Sequence, residues 1–258
     1  MKSALRGAIG RLLGTLSPDV AIFTEDGLER LACHDGYTNA LPFPHLILDQ
    51  LFDADLLRAV VAEFPDPATD VVEAHNDGVY VRRKHNTTWE TEFGPCTRRL
   101  FAELASPVVL LALERVTGIA GLMPDPYMFG GGLHFTTVGG KLAVHADFNR
   151  HPKLNLDRRL NLLLYLNEGW SEANRGWLEL WDRDMQRCVT RVLPVFNRTV
   201  LFSTTSFSFH GQPDPIVGPP GLTRRSIAVY YYTNGRPVDE IIEPDHSTLW
   251  QARPIDGY

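Results

Sequence analysis

The pattern of apolar positions divides the chain into two parts of different character. Residues 1–40 give little periodic signal, and from residue 53 to about residue 116 the apolar residues recur mainly at the three-to-four-residue spacing of helices. Residues 54–64 have this spacing behind Asp53, a suitable N-cap, and the predicted helix ends before Pro65. A second helix is predicted from about residue 95 to residue 116. A short apolar run at residues 46–48 predicts a strand before both helices.

From residue 128 to residue 232, short apolar runs alternate with Gly, Pro, Asn and Asp. Val, Leu, Phe, Tyr and Thr dominate these runs, as in the strands of a sandwich or barrel. Helices followed by strands indicate helices packed on the outside of a β core. The predicted fold class is therefore mainly β with flanking helices. We divide the chain into an N-terminal extension (1–40), one domain (41–235) and a polar C-terminal tail (236–258), in which Asp245 and His246 are expected on the surface.

Composition narrows the classes of partner. The 258 residues include 25 basic and 31 acidic side chains, for a net charge of −6, which disfavours general nucleic-acid binding. No segment has the roughly 20 apolar residues of a membrane span, and charges within residues 1–13 favour an amphipathic surface helix over a secretion signal. Cys33, Cys96 and Cys188 form no CxxC pair, as expected for reduced thiols. We predict a cytoplasmic protein without a nucleic-acid or membrane partner.

The first candidate chemistry lies at His145 and Asp147, two positions apart in an apolar run. In a strand, both side chains point to one face and can reach one metal ion. A single pair of this kind is weak evidence, because a surface His beside a surface Asp is common. A second histidine, His210, follows another apolar run at residues 199–202. Two histidines and one carboxylate are the facial set of non-haem iron(II) oxygenases, which leaves positions for a cosubstrate and O2.

The run at residues 223–232 carries two arginines at its start. Strand alternation puts Arg224 and Ser226 on one face, and Arg225 and Ile227 on the other. The first face is small apart from its arginine, as the floor of a pocket should be, so Arg224 is favoured for gripping a carboxylate. Arg225 remains the alternative, one residue away.

Three further features have more than one interpretation. Tyr165 shares its strand face with Asn161 and Leu163, opposite the other leucines of its run; its hydroxyl could donate to the same carboxylate, or it could be a core tyrosine bonded to backbone. His134 is interpreted as a structural or pocket residue and not as a fourth metal ligand. The basic stretch at residues 80–85 could contact an acidic substrate, but a solvated face is favoured.

Taken in order, these motifs resemble the 2-oxoglutarate/Fe(II)-dependent oxygenase superfamily, specifically its prolyl-4-hydroxylase-like branch. The resemblance covers roughly residues 41–233 and implies a double-stranded β-helix, or jelly roll. It is carried by His145-Ala146-Asp147, Tyr165-Leu166-Asn167, the run at residues 176–181, His210-Gly211, and Arg224-Arg225-Ser226-Ile227-Ala228.

The resemblance also implies roles for these residues. His145, Asp147 and His210 would ligate Fe(II), and Arg224, assisted by Tyr165, would bind the distal carboxylate of 2-oxoglutarate. The reaction would consume O2 and 2-oxoglutarate, release succinate and CO2, and hydroxylate a prolyl-containing or small-molecule substrate, with ascorbate as support. One alternative is a non-catalytic jelly-roll relative that binds a ligand or protein. A zinc hydrolase built on the same three residues is disfavoured, because no HExxH helix is present.

Overall fold

The computed structural model describes residues 21–66, 69, 72–87, 93–242 and 245–254, so the helix predicted within residues 1–13 lies outside the described residues. Within these residues, the four α-helices α1 to α4 span Gly27–Ala32, Ala54–Ala62, Pro95–Leu104 and Pro107–Thr117. The strands β1 to β12 span His45–Asp49, Val72–His75, Val81–Thr87, Met123–Pro124, Gly132–Ala146, Asp157–Tyr165, Leu178–Trp181, Cys188–Val192, Arg198–Ser203, His210–Gln212, Thr223–Thr233 and Leu249–Trp250. None of the helices in these ranges is long and apolar enough to cross a membrane.

The strands form an antiparallel jelly roll in the order β1-β9-β6-β11-β5-β10-β7-β8. The long strand β5 has different partners along its length. Its first half pairs with β11, its second half pairs with β10 and β12, and β3 pairs with residues of both halves. Between the halves, Gly139 has a φ of 81°, a left-handed conformation that favours glycine. The predicted fold class, mainly β with flanking helices, is confirmed, and so is the jelly roll.

The helices begin and end where local chemistry requires. Asp53 caps α2 by accepting a hydrogen bond from the Leu56 amide at 2.8 Å, as predicted. The single helix predicted for residues 95–116 is wrong, because α3 ends at Leu104 and α4 begins at Pro107. Proline has no amide hydrogen and disfavours a helical conformation in the residue before it. Ser106 instead caps α4, accepting from the Val109 amide at 3.3 Å.

The two faces of β6 have different tasks. Leu160, Leu162 and Leu164 are at most 1% exposed and pack in one core cluster with α2, α3 and α4. The alternate residues Asn161 and Tyr165 point to the interior of the barrel, where they line a cavity. Burial of the leucines thus fixes which face of the strand carries polar groups.

The C-terminal segment is not a surface tail. His246 is 8% exposed, and its Nε2 atom lies 2.7 Å from the Ser206 hydroxyl, so the surface location predicted for it is wrong. Strand β12 pairs Trp250 with His145, and the Trp250 ring stacks on Tyr80 at 4.7 Å. Asp245 is exposed, as predicted. The segment is polar in composition, but it covers the open edge of β5.

Candidate metal centre

The structure brings His145, Asp147 and His210 together at one end of the barrel. His210 on β10 pairs directly with His145 on β5, and Asp147 lies one residue beyond the end of β5. The Asp147 carboxylate lies 3.5 Å from Nε2 of His145 and 3.4 Å from Nε2 of His210. One ligand atom from each residue lies within 4.8 Å of the other two. This spacing suits three donors around a single ion.

Backbone carbonyls prepare both histidines for metal binding. Nδ1 of His145 lies 2.8 Å from the Ala143 carbonyl oxygen, and Nδ1 of His210 lies 2.9 Å from that of Ser208. Since a carbonyl oxygen only accepts, each Nδ1 carries the hydrogen and each Nε2 keeps a lone pair. Burial lowers the pKa of His210 to about 4, so this ring is neutral near pH 7. Two imidazole nitrogens and a carboxylate are donors that fit Fe(II).

Asp147 is held by neighbours that sequence reasoning missed. Its Oδ2 atom accepts a hydrogen bond from Asn161 at 2.7 Å and lies 3.1 Å from the guanidinium of Arg158. Burial opposes ionisation of Asp147, but the charge of Arg158, with the two histidines, outweighs it and holds the pKa of this carboxyl well below its usual range. The carboxylate is therefore charged and fixed in orientation.

Arg158 is itself locked in place. Its guanidinium lies 3.5 Å from the centre of the Tyr230 ring and 4.4 Å from that of Phe148, and it donates to Asn161 Oδ1 at 2.7 and 2.9 Å. A register shift in β6 explains why strand alternation did not reveal it. Leu160 pairs with Tyr231 and Arg158 with Tyr232, so one extra residue is inserted between them.

Arg224 and Tyr165 meet on the wall beside the metal donors. Arg224 donates to the Tyr165 hydroxyl at 3.2 Å and to the Gly176 carbonyl oxygen at 2.9 Å. Burial raises the pKa of Tyr165, so the phenol keeps its proton. The Tyr165 hydroxyl accepts a hydrogen bond from Arg224. Of the two interpretations of Tyr165, the structure therefore favours the pocket residue over the core tyrosine bonded to backbone. Gly176 has a φ of 73°, a left-handed conformation that favours glycine, and a Cβ there would lie 3.3 Å from Arg224 Cδ.

Arg225 points away from this site. Its guanidinium lies 5.8 Å from the Phe64 ring centre on the helix side of the sheet, and burial lowers its pKa. Asn167 Oδ1 accepts a hydrogen bond from the Arg225 backbone amide at 2.6 Å. Of the two arginines that the sequence left open, the structure thus places Arg224 in the cavity and Arg225 outside it.

The cavity has a volume of about 270 Å³ and joins the metal donors to the Arg224–Tyr165 pair. Lys84 also lines it, so the interpretation of residues 80–85 as a solvated face is wrong for this residue. His134 lines the cavity outside the donor set, in agreement with its interpretation as a pocket residue. Trp250 closes the wall beside His145, at 5.1 Å between ring centres. One cavity therefore holds the three candidate metal ligands, cationic side chains and an aromatic wall.

Comparison with known proteins supports the class that this geometry indicates. Residues 131–232 match the family model described as the 2OG-Fe(II) oxygenase superfamily. A search of curated proteins found no match. The family match confirms the resemblance that the motifs carry: over these residues the chain is similar to the 2OG-Fe(II) oxygenase superfamily.

Solved structures show the same fold at low sequence identity. A prolyl-4-hydroxylase from Pseudomonas putida is 20% identical, with a TM-score of 0.51, over 81% of this chain and 97% of that one. A prolyl hydroxylase from Trichoplax adhaerens, in complex with a hypoxia inducible factor peptide fragment, is 16% identical, with a TM-score of 0.58, over 81% and 91%. HygX from Streptomyces hygroscopicus, with nickel and 2-oxoglutarate bound, is 13% identical, with a TM-score of 0.51, over 79% and 92%. The fold is that of prolyl hydroxylase-like members of the superfamily.

Proposed function

We propose that this protein is an Fe(II)- and 2-oxoglutarate-dependent dioxygenase that hydroxylates a C–H bond and releases succinate and CO2. The observation that carries the proposal is the single cavity in which two histidine Nε2 atoms and a carboxylate face a buried Arg–Tyr pair. His145, Asp147 and His210 would hold the iron. When bound, iron supplies the activation of O2, which no protein side chain can provide.

The protein residues prepare this site before any ligand binds. The Nδ1 bonds of both histidines orient their Nε2 lone pairs, and Arg158 with Asn161 fixes Asp147. Among the residues that the structure describes, three donors converge, so the remaining positions on the metal would be left for the cosubstrate and O2.

Arg224 and Tyr165 would hold the distal carboxylate of 2-oxoglutarate. The guanidinium and the phenol are both buried, so charge-assisted hydrogen bonds to a carboxylate face little competition from water. Leu163 and Leu178 form apolar parts of the same wall. This arrangement would orient the cosubstrate with its 2-oxo acid end toward the metal donors.

The substrate is proposed to be a prolyl-containing or small molecule. A peptide fragment is named in the Trichoplax complex, and the prolyl hydroxylase-like fold favours this range of substrates. Ascorbate as a supporting reductant, a cytoplasmic location and the division of the chain at residues 41 and 235 remain part of the proposal.

The test is succinate formation by purified protein supplied with Fe(II), ascorbate, O2 and 2-oxoglutarate. We expect slow succinate release without a substrate. His145→Ala should lose both metal binding and succinate release, whereas the control His34→Ala, which lies outside the cavity, should keep both. Protein that binds one Fe(II) per chain and yet forms no succinate would refute the proposal and favour the non-catalytic binding protein.

A further inference from the structure

Lys84 shares the cavity with Arg224 because of strand register. Lys84 on β3 pairs with Thr136 on β5, and Thr136 pairs in turn with Arg224 on β11. The three residues form one row across three strands, and Lys84 and Arg224 both line the cavity. Neighbouring strands are about 4.8 Å apart, so the Lys84 and Arg224 backbones are about 10 Å apart.

Three described residues of this cavity carry a positive charge: Lys84, Arg158 and Arg224. Of these three, Lys84 has no hydrogen-bond or ion-pair partner within the described chain. Arg158 pairs with Asp147, and Arg224 is bonded to Tyr165 and Gly176. Lys84 makes no hydrogen bond or salt bridge with any described residue. Among the described residues, Asp147 is also the one carboxylate that lines the cavity.

The ammonium group of Lys84 is nevertheless charged near neutral pH. Burial lowers its pKa to about 8, although the carboxylates of Glu73 and Asp147 act in the opposite direction. Glu73 lies on an exposed strand, where its carboxylate is 3.7 Å from His75. A half-buried ammonium without a close anion is unfavourable, and a bound carboxylate would offset this cost.

His134 adds a hydrogen-bond acceptor next to Lys84. It occupies the neighbouring row, where it pairs with Asn86 on β3 and Ser226 on β11. Burial holds the pKa of His134 well below its usual range, and the charge of Lys84 lowers it further. The ring bonds to backbone carbonyls of Gly130 and Gly131, while its buried Nε2 has no partner within the described residues. Nε2 of this neutral ring therefore has a free lone pair.

We propose that Lys84 and His134 form a substrate subsite for a small carboxylic acid with an adjacent N–H or O–H group. Lys84 binds the carboxylate, and His134 Nε2 accepts the hydrogen bond. The inference rests on the proposed function, because 2-oxoglutarate bound at Arg224 leaves Lys84 as the cation available to the substrate. A cavity of about 270 Å³ that must also hold 2-oxoglutarate favours a small molecule over a folded partner.

Methyl-lysine NMR tests this directly, because the chain has only four lysines, Lys2, Lys84, Lys141 and Lys153. Reductive ¹³C-methylation of the whole protein labels them, and Lys84→Arg identifies the Lys84 signal by its loss. The protein is loaded with redox-inert Zn(II) and saturating 2-oxoglutarate, then titrated with N-acetylglycine or its uncharged amide. N-acetylglycine should move the Lys84 signal and raise its pKa by about one unit, as expected for a nearby opposite charge. The amide should do neither.

Three outcomes would overturn the inference. Equal shifts with acid and amide, or no shift with either, would exclude an anion subsite. A shift caused by 2-oxoglutarate alone, with no further effect of N-acetylglycine, would assign Lys84 to the cosubstrate. His134→Leu should weaken N-acetylglycine binding about fivefold, the value of one hydrogen bond; unchanged affinity would remove His134 from the subsite. The titration needs no turnover. The subsite can therefore be refuted by NMR while wild-type protein forms succinate, and the proposed function can be refuted by the succinate assay while Lys84 still responds to N-acetylglycine.

Discussion

The two neighbouring arginines of β11 offer a matched pair of substitutions. Arg224→Met removes the guanidinium that faces the cavity and bonds to Tyr165 and Gly176. Arg225→Met removes one that lies beside Phe64 on the opposite face. Both variants lose one positive charge at nearly the same place in the sequence. A difference between them therefore reports the side of the sheet, not the net charge.

The expected magnitude follows from the bonds that Arg224 can give. A hydrogen bond to a charged group contributes about 1.5–3 kcal/mol, and a carboxylate can accept two from one guanidinium. A total loss of about 3 kcal/mol corresponds to a roughly 100-fold weaker binding of 2-oxoglutarate. Arg225→Met should change this affinity less than about threefold, since its side chain does not reach the cavity. Arg224→Lys keeps the charge but not the planar fork, so its loss should be intermediate.

The assay is calorimetric titration of 2-oxoglutarate into Zn(II)-loaded protein, with metal content measured on the same samples. Metal content should stay unchanged in all three variants, because Arg224 and Arg225 bond to Gly176, Tyr165 and Asn167 and to none of the proposed metal ligands within the described chain. Thermal unfolding of each variant separates local loss of affinity from loss of the fold. An equal or larger effect in Arg225→Met, or wild-type affinity in Arg224→Met, would refute the assignment of the cavity face.

Three other predictions concern the scaffold. Leu164→Ala should lower the free energy of unfolding by about 3 kcal/mol in urea titrations, since the side chain is fully buried between β6 and the helices; a loss below about 1 kcal/mol would contradict this packing. Asp53→Ala should cost about 1 kcal/mol through the lost cap of α2, measured in the same way. Burial raises the pKa of the Cys96 thiol to about 11, so iodoacetamide at pH 8 should label exposed Cys33 and spare Cys96, as peptide mass spectrometry would show.

Strand alternation predicted the orientation of several residues. The strands that contain Tyr165, Arg224 and Arg225 alternate without interruption near these residues. Because the leucines and the isoleucine on one face are buried against the helices, the residues between them must point to the other face. The structure brings His145, Asp147 and His210 together as the sequence predicted, while their role as iron ligands stays a prediction. Pro107 marks the split between α3 and α4, but the helical spacing of the apolar residues continues across it.

Other residues could not be placed from the sequence. The inserted residue in β6 reverses the expected side of Arg158, and a single sequence gives no sign of it. Lys84 and Trp250 reach the cavity only because β3 and β12 pair with β5, over long distances in the chain. A two-residue strand such as β12 has too few positions to show any periodicity. These contacts depend on tertiary pairing, which local pattern does not encode.

His145 pairs with a strand on each side, and this affects which metal ion the protein would bind. β10 and β12 flank this histidine, and carbonyl bonds orient both imidazoles, so the donor geometry exists before a metal arrives. A preformed set of two nitrogens and one oxygen discriminates poorly among divalent ions of similar size. Affinity should then follow the general order in which Ni(II), Cu(II) and Zn(II) exceed Fe(II). Protein purified in air or on a nickel resin should therefore be stripped with a chelator and reloaded anaerobically with Fe(II) before turnover is measured.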